Sequence, residues 1–135
     1  MHRWAQFRLC VDEVDKSVTA LGSKEAVNTR IHVGGGYYVS VTSGFQCVDM
    51  RRFYLRDGKL KPTREGVALR LSEWTDLCGL MQTISDARPK LGAAIPCYLA
   101  EDHQNQLGWL ECIECNPFGP AAVFLEEFEA TAKLN

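Results

Sequence analysis

The sequence predicts an α+β fold in which a four-stranded antiparallel sheet is followed by one helix. Four runs of strand-forming residues succeed one another between residues 29 and 71, and glycine-containing turns separate them. Two of these turns carry β-hairpin signals, so the strands that they join run antiparallel. After the fourth run the apolar residues recur at spacings of three and four, which is typical of an amphipathic helix.

The turns place the four strands along the chain. Gly34-Gly35-Gly36 and Asp57-Gly58 are hairpin turns, because glycine accepts the positive φ that tight turns need. Pro62 cannot donate to a strand ladder, so the residues around it form an edge, a bulge or a bend. The predicted strands are 29–33, 37–41, 45–55 and 66–71, with residues 59–62 leaving the second hairpin turn.

An amphipathic helix is predicted over residues 73–86. Ser72 is a good N-cap, and Arg88-Pro89 ends the helix. The apolar stripe of the helix forms either core or a dimer interface. We expect a homodimer, because a four-stranded sheet with one helix leaves an apolar surface short of cover. The stripe consists of Trp74, Leu77, Met81 and Ile84.

The two ends of the chain are predicted to add β structure. Residues 4–11 alternate between apolar and polar, which indicates a half-buried strand, and residues 12–26 are predicted to form a loop. Residues 95–100 and 109–115 are predicted to pair as a hairpin, and 121–134 to form a short acidic helix. The predicted divisions are an N-terminal extension at 1–27, a central domain at 28–90 and a C-terminal hairpin module with an acidic tail at 91–135.

Composition restricts the class of protein. The 135 residues are 46% hydrophobic and 24% charged, as in an ordinary globular domain. No run of eighteen apolar residues exists, so no membrane partner is expected, and the N-terminus lacks the apolar core of a secretory signal. Six cysteines without such a signal favour an intracellular protein with thiols or metal ligands rather than disulfides. No nucleophile elbow or orienting third residue accompanies the cysteines and histidines, so an enzyme is not expected.

Positive charge is concentrated in the middle of the chain. Residues 51–70 hold seven basic and two acidic side chains, a net charge of +5, whereas the whole chain has a net charge of −2. Phe53 and Tyr54 lie within this block. Cations for phosphates beside aromatic faces for bases are typical of a nucleic-acid surface. The alternative is a solvated strand edge, where lysine and arginine discourage edge pairing.

Four motifs in this order resemble the C-terminal domain of a known family. They are Y-V-S-V (38–41), V-D-M-R-R-F-Y (48–54), G-K-L-K-P-T-R-E-G-V-A-L (58–69) and S-E-W-T-D-L (72–77). In these four motifs the sequence resembles the transcriptional positive cofactor four family of single-stranded-DNA-binding coactivators. The resemblance implies a curved sheet, a homodimer in which the helices pack together, nuclear localisation and DNA binding without a cofactor.

The resemblance also implies roles for individual residues. Arg51, Lys61 and Arg64 correspond to family cations, Tyr54 to an aromatic that stacks on a base, and Phe45 to an aromatic ending the second strand. With Lys59 they form the predicted DNA site of a protein of transcription, replication or repair, with transcription or replication proteins as further partners. Glu65 replaces a family cation, which leaves open the alternative of a protein-interaction or dimerisation module with weakened DNA binding.

A second group of residues is outside the resemblance. Cys97, His103, Cys112 and Cys115 are ligand types that suit zinc, and a Cys-x-x-Cys pair is a common half-site. In a flat strand, however, such a pair would point its thiols to opposite faces. The alternative is therefore buried core cysteines with His103 in a polar turn.

Overall fold

The computed structural model describes residues 2–99, 109–110 and 112–119. The strands lie in the order β1-β2-β3-β4, each antiparallel to its neighbour, so the predicted four-stranded antiparallel sheet followed by a helix is confirmed. None of the described helices is long and apolar enough to cross a membrane. The elements are α1 His2–Gly22, β1 Asn28–Gly34, β2 Tyr37–Thr42, β3 Cys47–Arg56, β4 Lys59–Arg70, α2 Leu71–Ala87, α3 Pro89–Gly92 and a 3₁₀ turn at Cys97–Leu99.

Both predicted hairpin turns are present. Gly35 and Gly36 join β1 to β2 with φ angles of 62° and 87°, and Asp57 and Gly58 join β3 to β4 with φ angles of 53° and 73°. Two successive positive φ angles match the right-handed twist of the flanking strands. The second turn sets the register of the β3–β4 hairpin, which carries most of the basic block.

Strand β4 is longer than the sequence predicted, and it contains a bulge. Arg51 pairs with Gly66 and Phe53 pairs with Pro62, so three residues of β4 lie opposite one residue of β3. Of the edge, bulge or bend predicted around Pro62, the structure shows a bulge next to Pro62 on the edge strand β4. Gly66 is needed beside the bulge, because a Cβ atom there would lie 2.5 Å from the carbonyl oxygen of Met50.

The predicted N-terminal strand is wrong, because residues 2–22 form a single helix, α1. Over eight residues the sequence fits an alternating pattern, but Leu9, placed by that pattern on the buried face, is 62% exposed. Apolar residues continue at helical spacing through the segment that was predicted to be a loop. The buried or partly buried members of this stripe are Phe7, Cys10, Val11, Val14, Val18 and Leu21.

Helices α1 and α2 cover the same face of the sheet and form the core with it. Trp74 is at the centre, 1% exposed, with its ring edge against Phe7 of α1. Its indole N–H donates to Asp15 Oδ1 at 2.8 Å, and the indole N–H of Trp4 donates to Ser85 Oγ at 3.2 Å. Two indole hydrogen bonds thus connect the helices to each other, and no helix of the described part of the chain covers the opposite face of the sheet.

Helix α2 begins two residues before the predicted start. Its N-cap is Arg70 rather than Ser72, because the Glu73 carboxylate reaches back and accepts the backbone N–H of Arg70 at 3.0 Å. The predicted stop is correct, since the helix ends at Ala87 and Pro89 begins the short helix α3. The buried positions of α2 are Trp74, Met81 and Ser85, so its apolar stripe packs against the protein's own core.

The described residues of the predicted C-terminal hairpin are not strands. Cys97–Leu99 is a 3₁₀ turn, and residues 113–115 form a turn. Local hydrogen bonds replace the ladder: Cys112 N–H donates to Trp109 O at 3.2 Å, and Asn116 N–H donates to Cys112 O at 2.8 Å. The rest of the predicted hairpin and the predicted tail helix at 121–134 lie outside the described residues.

Candidate nucleic-acid interface and cysteine cluster

The β3–β4 hairpin carries an aromatic ring and cations on one face. We call its residues 53–62 the hairpin arm. Tyr54 lies directly across from Lys61, and Arg56 lies across from Lys59. Alternate residues of a strand share a face, so these four side chains project from the same side of the arm. Tyr54 is 41% exposed, which leaves part of its ring accessible to a ligand.

The predicted cations on β4 are not engaged by the rest of the described chain. Lys59, Lys61 and Arg64 are all exposed, with Arg64 inside the bulge. Within residues 2–99, 109–110 and 112–119, none of the three forms an ion pair or a side-chain hydrogen bond. No described acidic side chain pairs with them, and cations left open in this way are available to phosphates.

Arg51, the other predicted DNA-binding cation, is not open to solvent in the way that the cations of β4 are. It is half-buried, its guanidinium pairs with Asp49 at 3.2 Å, and its Nη1 donates to the carbonyl of Thr63 at 2.9 Å. The second bond holds the bulged part of β4 against β3. Arg51 therefore supports the shape of the hairpin, and an anion that approached it would compete with the Asp49 carboxylate.

Glu65, the acid at a family cation position, is part of a small surface network. Its carboxylate accepts the hydroxyl of Tyr37 and pairs with Arg52 at 3.4 Å. The hydrogen bond from Tyr37, followed by that from Arg52, lowers the pKa of Glu65 below its ordinary value. The network joins Tyr37 of β2, Arg52 of β3 and Glu65 of β4 at the base of the arm. Glu65 thereby neutralises the charge of Arg52, one of the basic residues of the block.

The open face of the sheet holds a groove of about 640 Å³. Phe45, 64% exposed, lies on one side of it. Phe53 and Pro62 of the arm form another part of the wall, and the Arg30 guanidinium lies 5.4 Å from the centre of the Phe53 ring. Ser40 Oγ lies in the same lining and is buried with no hydrogen-bond partner among the described residues. The groove thus combines apolar ring faces, one cation and an unsatisfied polar group.

The structure divides the predicted DNA residues between two surfaces. Phe45 lines the groove with Phe53, whereas Tyr54 projects from the other side of the arm, because successive residues of a strand alternate. Arg30 and Ser40 also line the groove and were not among the predicted DNA-binding residues, whereas Phe53 was named only as an aromatic of the basic block. The available signal was the register: once the two hairpin turns fix the pairing, Arg30 and Ser40 are seen to be direct partners on β1 and β2.

Three of the four predicted metal ligands come together. The Sγ atoms of Cys97, Cys112 and Cys115 all lie within 4.8 Å of one another, and Cys97 Sγ is 3.4 Å from Cys112 Sγ. That separation is well above the S–S bond length of about 2.05 Å, so the pair is not a disulfide. Burial raises the pKa of Cys97 above its ordinary value and that of Cys115 to about 11. His103 lies outside the described residues.

The turn that bears two of these cysteines is attached to α1 and to the sheet. The Glu114 carboxylate pairs with the Arg3 guanidinium at 2.6 Å, and its backbone carbonyl accepts the N–H of Gly35 at 2.9 Å. The bond from Arg3 lowers the pKa of Glu114. Arg3 also lies over the Tyr37 ring, 5.1 Å from its centre. The C-terminal segment is thereby connected to the base of the hairpin arm.

These features define a class of protein: a small antiparallel sheet with helices on one face and no described element on the other, whose β3–β4 hairpin carries cations and the exposed aromatic Tyr54. Residues 38–80, about a third of the chain, match the model of the family described as Transcriptional Coactivator p15 (PC4). The match runs from β2 into α2 and confirms the resemblance found in the motifs. This is a family of non-enzymatic, DNA-binding transcriptional coactivators that bind single-stranded DNA without a cofactor. The comparisons with curated proteins and with solved structures returned no match.

Proposed function

We propose that this protein binds single-stranded DNA as a homodimer and acts in transcription regulation, replication or repair. The hairpin arm and Arg64 hold phosphates, and exposed aromatic residues stack on bases. The family match over residues 38–80 supports this function in general terms. The observation that carries the proposal is that Tyr54 and Lys61 are cross-strand partners with exposed side chains, neither of which forms an ion pair or a side-chain hydrogen bond with another described residue.

The groove on the open face is the second part of the proposed site. A base that entered it would contact Phe45 and Phe53, with Ser40 in the same wall of the groove. Arg30 lies close enough for a backbone phosphate. Stacking of this kind tolerates any sequence because every base has a flat face, so we expect little sequence preference.

The test is a fluorescence-anisotropy titration with a labelled single-stranded oligonucleotide and with the matched duplex, each at two salt concentrations. Single strands should bind more tightly, since only unstacked bases offer their faces to Tyr54 and Phe45. Affinity should fall as salt rises, because each phosphate contact releases counterions. Equal affinity for the duplex and the single strand would count against the stacking role.

Two variants separate the phosphate and stacking contributions. Lys61→Ala should weaken binding similarly on every sequence and reduce the salt slope by up to about one unit. Tyr54→Ala should cost about 1–3 kcal/mol of binding free energy with the salt slope kept, and Tyr54→Trp should retain binding. Lys90→Ala, which removes an exposed charge from α3, is the charge-matched control. If Lys61→Ala and Lys90→Ala behave alike, the arm is not the phosphate-binding surface.

A protein-interaction or dimerisation module with weakened DNA binding is the second candidate. It is favoured by the pairing of Arg51 with Asp49 and of Arg52 with Glu65, since these pairs use cations that would otherwise face a ligand. For such a module, the same titration would show no salt-dependent binding of the single strand. Reversing the charge with Glu65→Lys should then create binding that the unmodified protein lacks.

A further inference from the structure

The thiols of Cys97, Cys112 and Cys115 are spaced for a tetrahedral metal ion. Zinc–thiolate bonds are about 2.3 Å long, so two sulfurs on one tetrahedral zinc are about 3.8 Å apart. The three Sγ atoms lie within 4.8 Å of one another, and two of them are 3.4 Å apart. Shifts of roughly 1 Å would give zinc geometry, and side-chain rotation can supply such shifts.

The local backbone explains how Cys112 and Cys115 point to the same side. Residues 113–115 form a turn, whereas a strand would direct these two thiols to opposite faces. Asn116 stabilises the turn, with its backbone N–H bonded to Cys112 O and its side-chain amide bonded to Trp109 O at 2.7 Å. We call residues 112–116 the cysteine turn. The 3₁₀ turn Cys97–Leu99 supplies the third thiol from a separate part of the chain.

We propose that Cys97, Cys112 and Cys115 bind one Zn²⁺ ion, which fastens the cysteine turn to the 3₁₀ turn and through it to α1 and the sheet. The thiols release their protons to solvent as the thiolates bind the ion. The fourth ligand of the tetrahedron comes from outside this triad. Thiolate ligands select zinc over magnesium or calcium, which prefer oxygen.

The ion has a structural consequence that can be measured at a distance. The cysteine turn includes Glu114, whose carboxylate binds Arg3 and whose carbonyl accepts the Gly35 N–H. Loss of the ion should release the cysteine turn, and with it the hydrogen bond from Gly35. The pairing of neighbouring strands throughout the sheet should stay intact. The hydrogen bond from Gly35 to Glu114 can be followed in the protein alone, so the measurement does not depend on DNA binding.

The first experiment measures zinc in the full-length protein purified without chelator. Elemental analysis should give about one zinc per chain for the unmodified protein and for Cys78→Ser, a cysteine variant in α2. Cys112→Ser and Cys115→Ser should each lose most of the metal. Replacement of zinc by cobalt(II) should give thiolate-to-cobalt charge-transfer absorption with the intensity of three thiolates.

The second experiment uses only the unmodified protein, so it remains decisive if the serine variants fail to fold. Hydrogen exchange should show faster exchange at the Gly35 amide after chelation, reversed by added zinc, with unchanged protection at Val39 and Val48 in the centre of the sheet. Less than a tenth of an equivalent of zinc would overturn the proposal. So would equal metal loss in Cys78→Ser and Cys115→Ser, or a Cys97–Cys112 disulfide in protein kept under reducing conditions.

Discussion

His32 is a half-buried titratable group whose protonation the fold disfavours. Its Nε2 accepts the backbone N–H of Gly36 at 3.1 Å, which requires the neutral ring, and its ring lies 4.9 Å from that of Tyr38. Burial lowers the pKa of His32, and nearby Arg3 lowers it further against the opposing effect of Glu114. Because Gly36 belongs to the first hairpin turn, charging this ring should loosen the turn.

The protein should therefore lose stability in mild acid. Below about pH 6.5, the ordinary pKa of histidine, the unfolded chain binds a proton at this position that the folded protein does not. The free energy of unfolding should fall as the pH decreases from that value towards the lower pKa of the folded state. Thermal unfolding between about pH 7.5 and 5.5 measures the effect. His32→Gln should flatten the profile and His2→Gln should not; a profile unaffected by His32→Gln would contradict the assignment.

For individual residues, the sequence predicts the cross-strand contacts of a hairpin whose turn sets the register. It does not predict contacts between residues that are far apart in the chain. Asp57-Gly58 sets the register of its hairpin, so the neighbourhood of Tyr54 and Lys61 follows from the sequence. The Arg3–Glu114 pair joins residues 111 positions apart, and no local pattern indicates it. Arg51 fits the family motif equally well whether it is exposed or paired, and only the structure shows that Asp49 binds it.

Among the elements, α1 is the one that sequence reasoning assigned to the wrong class. Residues 4–11 fit both an alternating and a helical pattern, and only the continuation through Val14 and Val18 to Leu21 separates the two. The order of the four strands and the presence and end of α2 were predicted correctly, because their turn and helix-stop signals agree with the apolar periodicity. The predicted C-terminal hairpin is wrong in its described residues. There the side-chain amide of Asn116 donates a hydrogen bond to the carbonyl of Trp109, a local contact that a strand pattern does not indicate.

The attachment of α1 to α2 should depend on Asp15. Its carboxylate accepts the indole N–H of Trp74, and without it that buried donor has no partner among the described residues. Asp15→Ala should therefore reduce the free energy of unfolding by about 1–3 kcal/mol. Asp12→Ala removes an equal charge from an exposed position of the same helix and should have a much smaller effect. Chemical denaturation of both variants makes the comparison, and equal losses would show that the indole bond contributes little.

At the scale of the whole molecule, α1 changes the reason for expecting a dimer. A sheet with one helix was predicted to need a second copy as cover, yet α1 and α2 together cover one face of this sheet. Among the described elements, the edge strand β4 and the outer side of α2 are available for pairing with a second copy. Val67 on β4 is 50% exposed and Leu80 on α2 is 54% exposed, so both offer apolar surface that a second copy could cover.

We therefore expect a homodimer that uses β4 and the exposed side of α2. A stable interface buries about 1,200–2,000 Å² in total, so it must extend beyond these two side chains to the outer edge of β4. Light scattering at micromolar concentration should give twice the mass of the chain, and Val67→Glu or Leu80→Glu should give the monomer, because each would bury a carboxylate without a partner. Leu9→Glu makes the same change at an exposed position of α1 and should leave the dimer intact. A monomer for the unmodified protein would rule out this interface, and it would also limit the DNA site to the hairpin arm and groove of a single chain.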